Sequence, residues 1–214
     1  NSIKISKYQK KLKRFIFFST SEVYRYSVDK KIERVPTSTE LDLLLSKLRN
    51  RRDSYMISKI CGEYLSEYSG LPFTIIRPHN IFGPNMGKRH VIPELIIKMK
   101  NSKSIKIVNP NHIRSFCYID DAVEMIIKIM ISNRSKNKIV NVGSNKNIYS
   151  IKNLAKKIAF TMKKKIFLDF SNKNIKFNSP RKRIPNVNLT KKITNNKKET
   201  NFDNALSKTI NSYL

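Results

Sequence analysis

The chain has 214 residues, 39% of them hydrophobic, which is enough for one substantial domain with a real core. Lys and Arg number 44 against 15 Asp and Glu, a formal net charge of +29. Lys, Asn and Ile recur throughout, loops included, so the excess fits compositional drift better than a dedicated nucleic-acid or other polyanion site, although a cationic field still helps attract a phosphate-bearing substrate. The two cysteines, Cys61 and Cys117, have neither metal-ligand spacing nor a disulfide framework, and no metal site is expected. No apolar run approaches the roughly 18 residues of a membrane span. No secretory signal is visible, and a cytoplasmic, reducing setting is the simplest expectation. Asn1 is not an initiator methionine, so the natural N-terminus can lie upstream.

Residues 1–14 are polar and strongly basic. Phe15-Ile16-Phe17-Phe18 is a short apolar run ending in Ser19-Thr20-Ser21-Glu22, and reads as a fully buried strand of a parallel sheet. Such a strand needs partners on both sides. Residues 1–14 hold no comparable run, so the chain is expected to begin in mid-domain. Residues 25–52 read as a long polar loop with one short helix around Leu41–Leu48.

A helix follows. Met56, Ile57, Ile60, Leu65 and Tyr68 form its apolar stripe, and Gly70 marks its stop. It carries Tyr55-x-x-x-Lys59, and residues four apart share a helical face. A phenol is a poor base at neutral pH because its unperturbed pKa is about 10, and a neighbouring cation favours the phenolate. The pairing suits removal of a carbinol proton while hydride leaves the same carbon.

Pro72-Phe73-Thr74-Ile75-Ile76 is a second buried strand, running into the Pro- and Gly-bearing loop Arg77-Pro78-His79-Asn80-Ile81-Phe82-Gly83-Pro84-Asn85. Val91 to Met99 reads as a helix, Ile105-Lys106-Ile107 as a small strand, and Arg114 to Tyr118 as extended. Asp120 or Asp121 is expected to start the next helix. Ile139-Val140-Asn141-Val142-Gly143 is a further strand. Ser150 is placed to cap a helix from Ile151 to about Thr161, and Lys165 to Phe170 reads as a strand. Asn172 to Thr200 is weakly patterned, and Phe202 to Leu214 has amphipathic helical spacing. Strands ending in polar clusters and alternating with helices predict an α/β fold with a ligand outside the strands' carboxyl ends.

Five segments occur in a recognisable order: Ser19-Thr20-Ser21-Glu22-Val23-Tyr24, Tyr55-x-x-x-Lys59, Arg77-Pro78-His79-Asn80-Ile81-Phe82-Gly83-Pro84, Arg114 to Asp121, and Arg181-Lys182-Arg183-Ile184-Pro185-Asn186. Together they resemble the extended short-chain dehydrogenase/reductase family, the NAD-dependent epimerases and dehydratases of nucleotide sugars. The resemblance implies the C-terminal part of a Rossmann-like doubly wound parallel sheet with a smaller substrate-binding α/β region. It assigns about residues 14–80 and 114–133 to the Rossmann part and about 81–113 and 139–214 to the substrate-binding part. None of the five glycines forms the glycine-rich pyrophosphate fingerprint, so on the order of 100 residues of such a fold would precede Asn1.

The resemblance also implies roles. Tyr55 is the base at sugar C4, Lys59 lowers its pKa and binds the nicotinamide ribose, and Thr20 bonds the same sugar hydroxyl. Ser19 and Pro78 fall at the cofactor, NAD. Ser21, Asn80, His90, Val91 and Arg114 fall at a UDP- or dTDP-linked sugar, Arg114 because its fork donates to two phosphate oxygens. Taken without the family, Asn80 fits a tied-down turn and Arg114 a surface ion pair. The Ser-Thr-Ser-Glu-Val-Tyr run resembles the decarboxylases of UDP-glucuronate. In those, Glu22 would do proton chemistry on a C4 ketone, and Arg183 would protonate the product enolate or bind diphosphate. The plain reading of Glu22 is a carboxylate hydrogen-bonded at a helix or loop start. Arg25 stands where a glycine is expected and Asn186 where an aspartate is common. The family implies a homodimer through helices that include the Tyr/Lys one.

Overall fold

The computed structural model describes residues 2–9, 11–29, 35–45, 51–170, 180–195 and 198–214. Helix α1 (Ser2–Ser6) precedes strand β1 (Phe15–Phe18), a 3-10 turn at Ser21–Tyr24 and the short helix α2 (Arg25–Asp29). Then come α3 (Arg51–Glu67), β2 (Phe73–Pro78), β3 (Ile81–Phe82), α4 (Val91–Asn101), β4 (Ser104–Lys106), β5 (Ile113–Ser115) and β6 (Cys117–Tyr118). The rest comprises α5 (Ile119–Ile131), β7 (Lys138–Val142), β8 (Ile148–Ser150), α6 (Ile151–Thr161), β9 (Phe167–Asp169), β10 (Lys182–Arg183), α7 (Asn188–Thr194) and α8 (Phe202–Asn211).

The main sheet is parallel, in the order β1-β2-β7. Phe17 lies opposite Ile75 and Phe18 opposite Ile76, while Thr74 to Pro78 run beside Lys138 to Val142. Strand side chains alternate between faces. Phe17 and Ile75 therefore face α3, whose Gly62 sits directly on the Phe17 ring. Ile76, Val140 and Val142 face the other way and pack under Ala122, Met125 and Ile129 of α5. Helices thus cover both faces, as the α/β reading requires. β2 is central and buried from Phe73 to Arg77, which explains its unbroken apolar run.

A second core joins α4, α6 and α8 beneath the small strands, with Ile96, Met99, Leu154, Ile158, Leu206 and Ile210 almost wholly buried. Each such aliphatic side chain contributes roughly 1.5–3 kcal/mol by leaving water. In α6 the buried residues Ile151, Leu154, Ala155, Ile158 and Ala159 follow the helical period, and Ser150 accepts from the Asn153 amide as its cap. The small strands pair as β10-β5-β8, β3-β6 and β4-β9.

Four expectations need correction. Residues 139–142 lie in the main parallel sheet rather than the substrate-binding part, because Val140 and Val142 supply the apolar face under α5. Residues 114 and 115, assigned to the Rossmann part, instead pair with β10 and β8. Neither Asp120 nor Asp121 caps α5. Tyr118 occupies that position without a side-chain bond, and Asp121 accepts from the Thr200 amide and hydroxyl. The short helix near 41–48 is absent from 41–45, and 46–50 lie outside the described residues, as do 171–179 in the weakly patterned tail. No described helix is long and apolar enough to cross a membrane.

Candidate active site

The three parallel strands end on one side of the sheet. β1 leads into Ser19 and Thr20, β2 into His79 and Asn80, and β7 into Gly143. Beside these ends opens a cleft of about 790 Å³. Thr20, Ser21, Glu22, Tyr55, Pro78, Asn80, His90, Val91, Arg114 and Arg183 all line it. The topology thus gathers predicted residues from six separate stretches of chain.

Each has a local reason to be there. Thr20 caps the 3-10 turn, accepting from the Glu22 amide at 3.2 Å, so Ser21 and Glu22 are presented at the strand end. Glu22 forms an ion pair with Arg183 at 2.9 Å. Tyr55 projects from the first turns of α3, half exposed. Asn80 has φ 41°, a left-handed conformation that asparagine tolerates, and its buried Nδ2 has no hydrogen-bond partner among the described residues. Such an orphan donor at a cleft is a place for a ligand oxygen. His90 sits at the start of α4 without a side-chain capping bond. Arg114 is buried and donates to the carbonyls of Ile113 and Arg181.

Two predicted residues stand outside the cleft wall. Lys59 donates to the Phe18 carbonyl at 2.8 Å, and its ammonium lies 5.8 Å from the centre of the Tyr55 ring. It therefore flanks the phenol from the side of β1. Ser19 is buried, and its hydroxyl donates to Glu63 rather than facing the cleft. A buried hydroxyl needs a partner, and the Glu63 carboxylate supplies one.

Sequence reading missed several cleft residues. Arg89, Asn109 and His112 add polar groups, and Met86 and Phe116 add apolar wall. Arg89 lies next to His90, and His112 two residues before Arg114, so proximity to predicted residues was the available signal. Burial, then the charges of Arg114 and Arg181, push the His112 imidazole below its usual range. Arg89, Arg114 and Arg183 line the cleft together with the carboxylates Glu22 and Glu94, of which Glu22 is paired with Arg183 and Glu94 with Lys98.

Behind the cleft runs a buried polar chain. Glu63 takes two hydrogen bonds from Arg77, at 2.8 and 2.5 Å. Arg77 donates to the Tyr24 hydroxyl at 2.7 Å, which donates to Asn141 Oδ1 at 2.8 Å. His79 Nε2 approaches the same oxygen at 3.2 Å. Burial would lower Arg77, but the hydrogen bonds and charges of Glu63 and Tyr24 outweigh it and keep the guanidinium charged. Burial pushes the Tyr24 phenol up to about 12, so it stays protonated as the donor in this chain. Burial also pushes His79 down to about 3 and keeps its ring neutral.

Residues 4–143 match the NAD dependent epimerase/dehydratase family. The chain belongs to this family. Among curated relatives of this epimerase/dehydratase chain is the bifunctional polymyxin resistance protein ArnA of Wigglesworthia glossinidia brevipalpis. It is 29% identical over 250 residues, covering 100% of this chain and 36% of ArnA. Among solved structures, UDP-glucuronic acid 4-epimerase from Bacillus cereus, in complex with UDP-glucuronic acid and NAD, superposes with TM-score 0.79 at 21% identity. That match covers 99% of this chain and 64% of the epimerase. The PbgP3 protein from Burkholderia pseudomallei gives TM-score 0.79 at 24% identity, covering 99% and 66%. The chain thus spans about a third of ArnA and a little under two thirds of the Bacillus enzyme. These structural likenesses establish the fold, in agreement with the doubly wound reading.

Proposed function

We propose that this chain supplies the substrate cleft and proton-transfer pair of an NAD-dependent nucleotide-sugar epimerase/dehydratase that works through oxidation at sugar C4. One observation carries the reading: the half-exposed Tyr55 phenol stands at a polar cleft with the Lys59 ammonium beside it. As a phenolate countered by the Lys59 ammonium, Tyr55 takes the C4 hydroxyl proton and becomes a neutral phenol, while Thr20 orients the hydroxyl. Arg114, Arg89 and the free Nδ2 of Asn80 receive the diphosphate of a UDP- or dTDP-linked sugar, and His90 and Val91 border its nucleoside.

The residues present suit the nicotinamide end of the cofactor. Thr20, Tyr55 and Pro78 meet at the strand ends, with Lys59 alongside, where an open α/β sheet places a dinucleotide. When bound, NAD accepts the hydride. Tyr55 and Thr20 hold the carbinol in line for that transfer, and the apolar wall of Met86 and Phe116 limits water at the sugar.

A second reading, decarboxylation of UDP-glucuronate, rests on the Glu22–Arg183 pair, a carboxylate and a guanidinium side by side on the cleft wall. A homodimer through α3 fits the exposed Tyr64 and Leu65 on that helix and Tyr68 just beyond its end. Light scattering on Leu65→Glu should then report a monomer where the parent chain reports a dimer. Equilibrium titration tests the main reading. Saturable binding of UDP-glucuronate or dTDP-glucose, weakened by Arg114→Leu, is expected. Absence of sugar-nucleotide binding, with steeply salt-dependent DNA binding instead, would move the assignment to a polyanion-binding protein.

A further inference from the structure

Helix α3 carries the proposed proton-transfer pair but has little apolar anchorage. Among its described side chains the buried ones are Asp53, Met56, Glu63 and Ser66, and only Met56 is apolar. Two of the four are carboxylates, and each lies in an ion pair. Asp53 receives Arg25 at 3.3 Å, both side chains being nearly inaccessible, and also the Tyr26 hydroxyl at 2.8 Å. Glu63 receives Arg77 of β2 through a two-pronged contact and the Ser19 hydroxyl from the end of β1.

Buried ion pairs are a poor way to gain stability, since apolar groups of the same shape often do as well. The Arg25 pair is poorer still, because its Nε and Nη2 have no hydrogen-bond partner among the described residues. What such contacts supply is direction. Apolar packing tolerates sliding, whereas a one-residue slip moves a helix about 1.5 Å and turns it about 100°. Either displacement breaks the two-pronged Glu63–Arg77 contact and pulls Asp53 from its single Arg25 contact. The two carboxylates lie about 15 Å apart along the axis, on either side of Tyr55 and Lys59.

We propose that Asp53 and Glu63 are positioning residues, and that their two buried ion pairs fix the register and rotation of α3 so that Tyr55 meets the cleft and Lys59 meets the end of β1. One clamp ties the helix start to α2, next to the turn carrying Thr20, Ser21 and Glu22. The other ties it to β2, next to Pro78 and Asn80. The proposal takes its interest from the role given to Tyr55 and Lys59, but its geometry stands without any reaction.

The test places 3-fluorotyrosine at position 55 of the chain and reads its fluorine NMR resonance. The parent chain should give one narrow line. Removing both members of a pair, as in Glu63→Gln with Arg77→Met, or Asp53→Asn with Arg25→Met, avoids stranding a buried charge. Each such variant should melt cooperatively while its fluorine line broadens and moves toward that of free fluorotyrosine. Met56→Ala serves as the contrast, a loss of packing that lowers the melting temperature and leaves the line in place. If a double variant does not fold, Arg77→Lys, which keeps the charge and loses the fork, carries the same readout. Folded variants with the parental line would overturn the proposal. No substrate enters the measurement, so a failed catalytic role for Tyr55 and a failed positioning role for the ion pairs give separate results.

Discussion

Glu22 and Arg183 stand 161 residues apart in sequence and form an ion pair at 2.9 Å on the wall of the cleft. The 3-10 turn after β1 presents the carboxylate, and the short strand β10 presents the guanidinium. If Glu22 moves protons on the oxidised sugar, Glu22→Gln should lower turnover of UDP-glucuronate by about 10²-fold or more. Affinity for the nucleotide sugar should hold, since the phosphate contacts are elsewhere. Turnover within a few-fold of the parent would make the pair a tie between the turn and β10 and nothing more.

Gly62 offers a test of the packing that supports the site. A glycine inside an exposed helix normally costs about 1 kcal/mol relative to alanine. Here a Cβ on Gly62 would run into the Phe17 ring, so the glycine permits α3 to lie close on β1. Gly62→Ala should therefore destabilise by about 1–3 kcal/mol in urea unfolding, despite the better helix former. A gain in stability would show that α3 does not sit on the Phe17 ring.

His79 makes stability depend on pH in a defined direction. Its folded pKa lies near 3 against 6.5 for the free side chain. Below 6.5 the unfolded chain takes up a proton that the folded chain refuses, so stability is full above 6.5 and falls as the pH drops toward 3. One proton gives a slope of about 1.4 kcal/mol per pH unit. His79→Gln should lose that contribution, so that between about pH 6 and about pH 4 its stability falls less steeply than the parent's. Equal slopes would show that His79 is protonated in the folded chain.

What could be read from sequence was what local order encodes. The runs Phe15–Phe18 and Phe73–Ile76, the helical period after Ile151 and the Ser150 cap depend on neighbours a few residues away, and each forms the expected element, although Phe15–Phe18 is only partly buried, with Phe18 exposed, where a fully buried strand was expected. The Tyr55–Lys59 spacing likewise brought the ammonium to 5.8 Å from the centre of the phenol ring, with Tyr55 on the cleft wall. Contacts made by tertiary packing left no local trace. Asp121 binds Thr200 instead of capping α5, because the returning chain brings a donor that competes for its carboxylate. Ser19 turns to Glu63, and Glu63 to Arg77, because these polar groups are buried together. The helix α7 lies in a stretch with weak periodicity and is held by packing Leu189 and Ile193 against the α5 cluster.

The central claim is that Tyr55, as its phenolate, removes the sugar proton. The direct measurement is turnover and nucleotide-sugar affinity of Tyr55→Phe in the same protein with NAD supplied. The account predicts a fall in kcat of about 10²–10⁴-fold with the dissociation constant essentially unchanged. Turnover within about twofold of the parent would contradict it, because no proton acceptor at that position would then be needed.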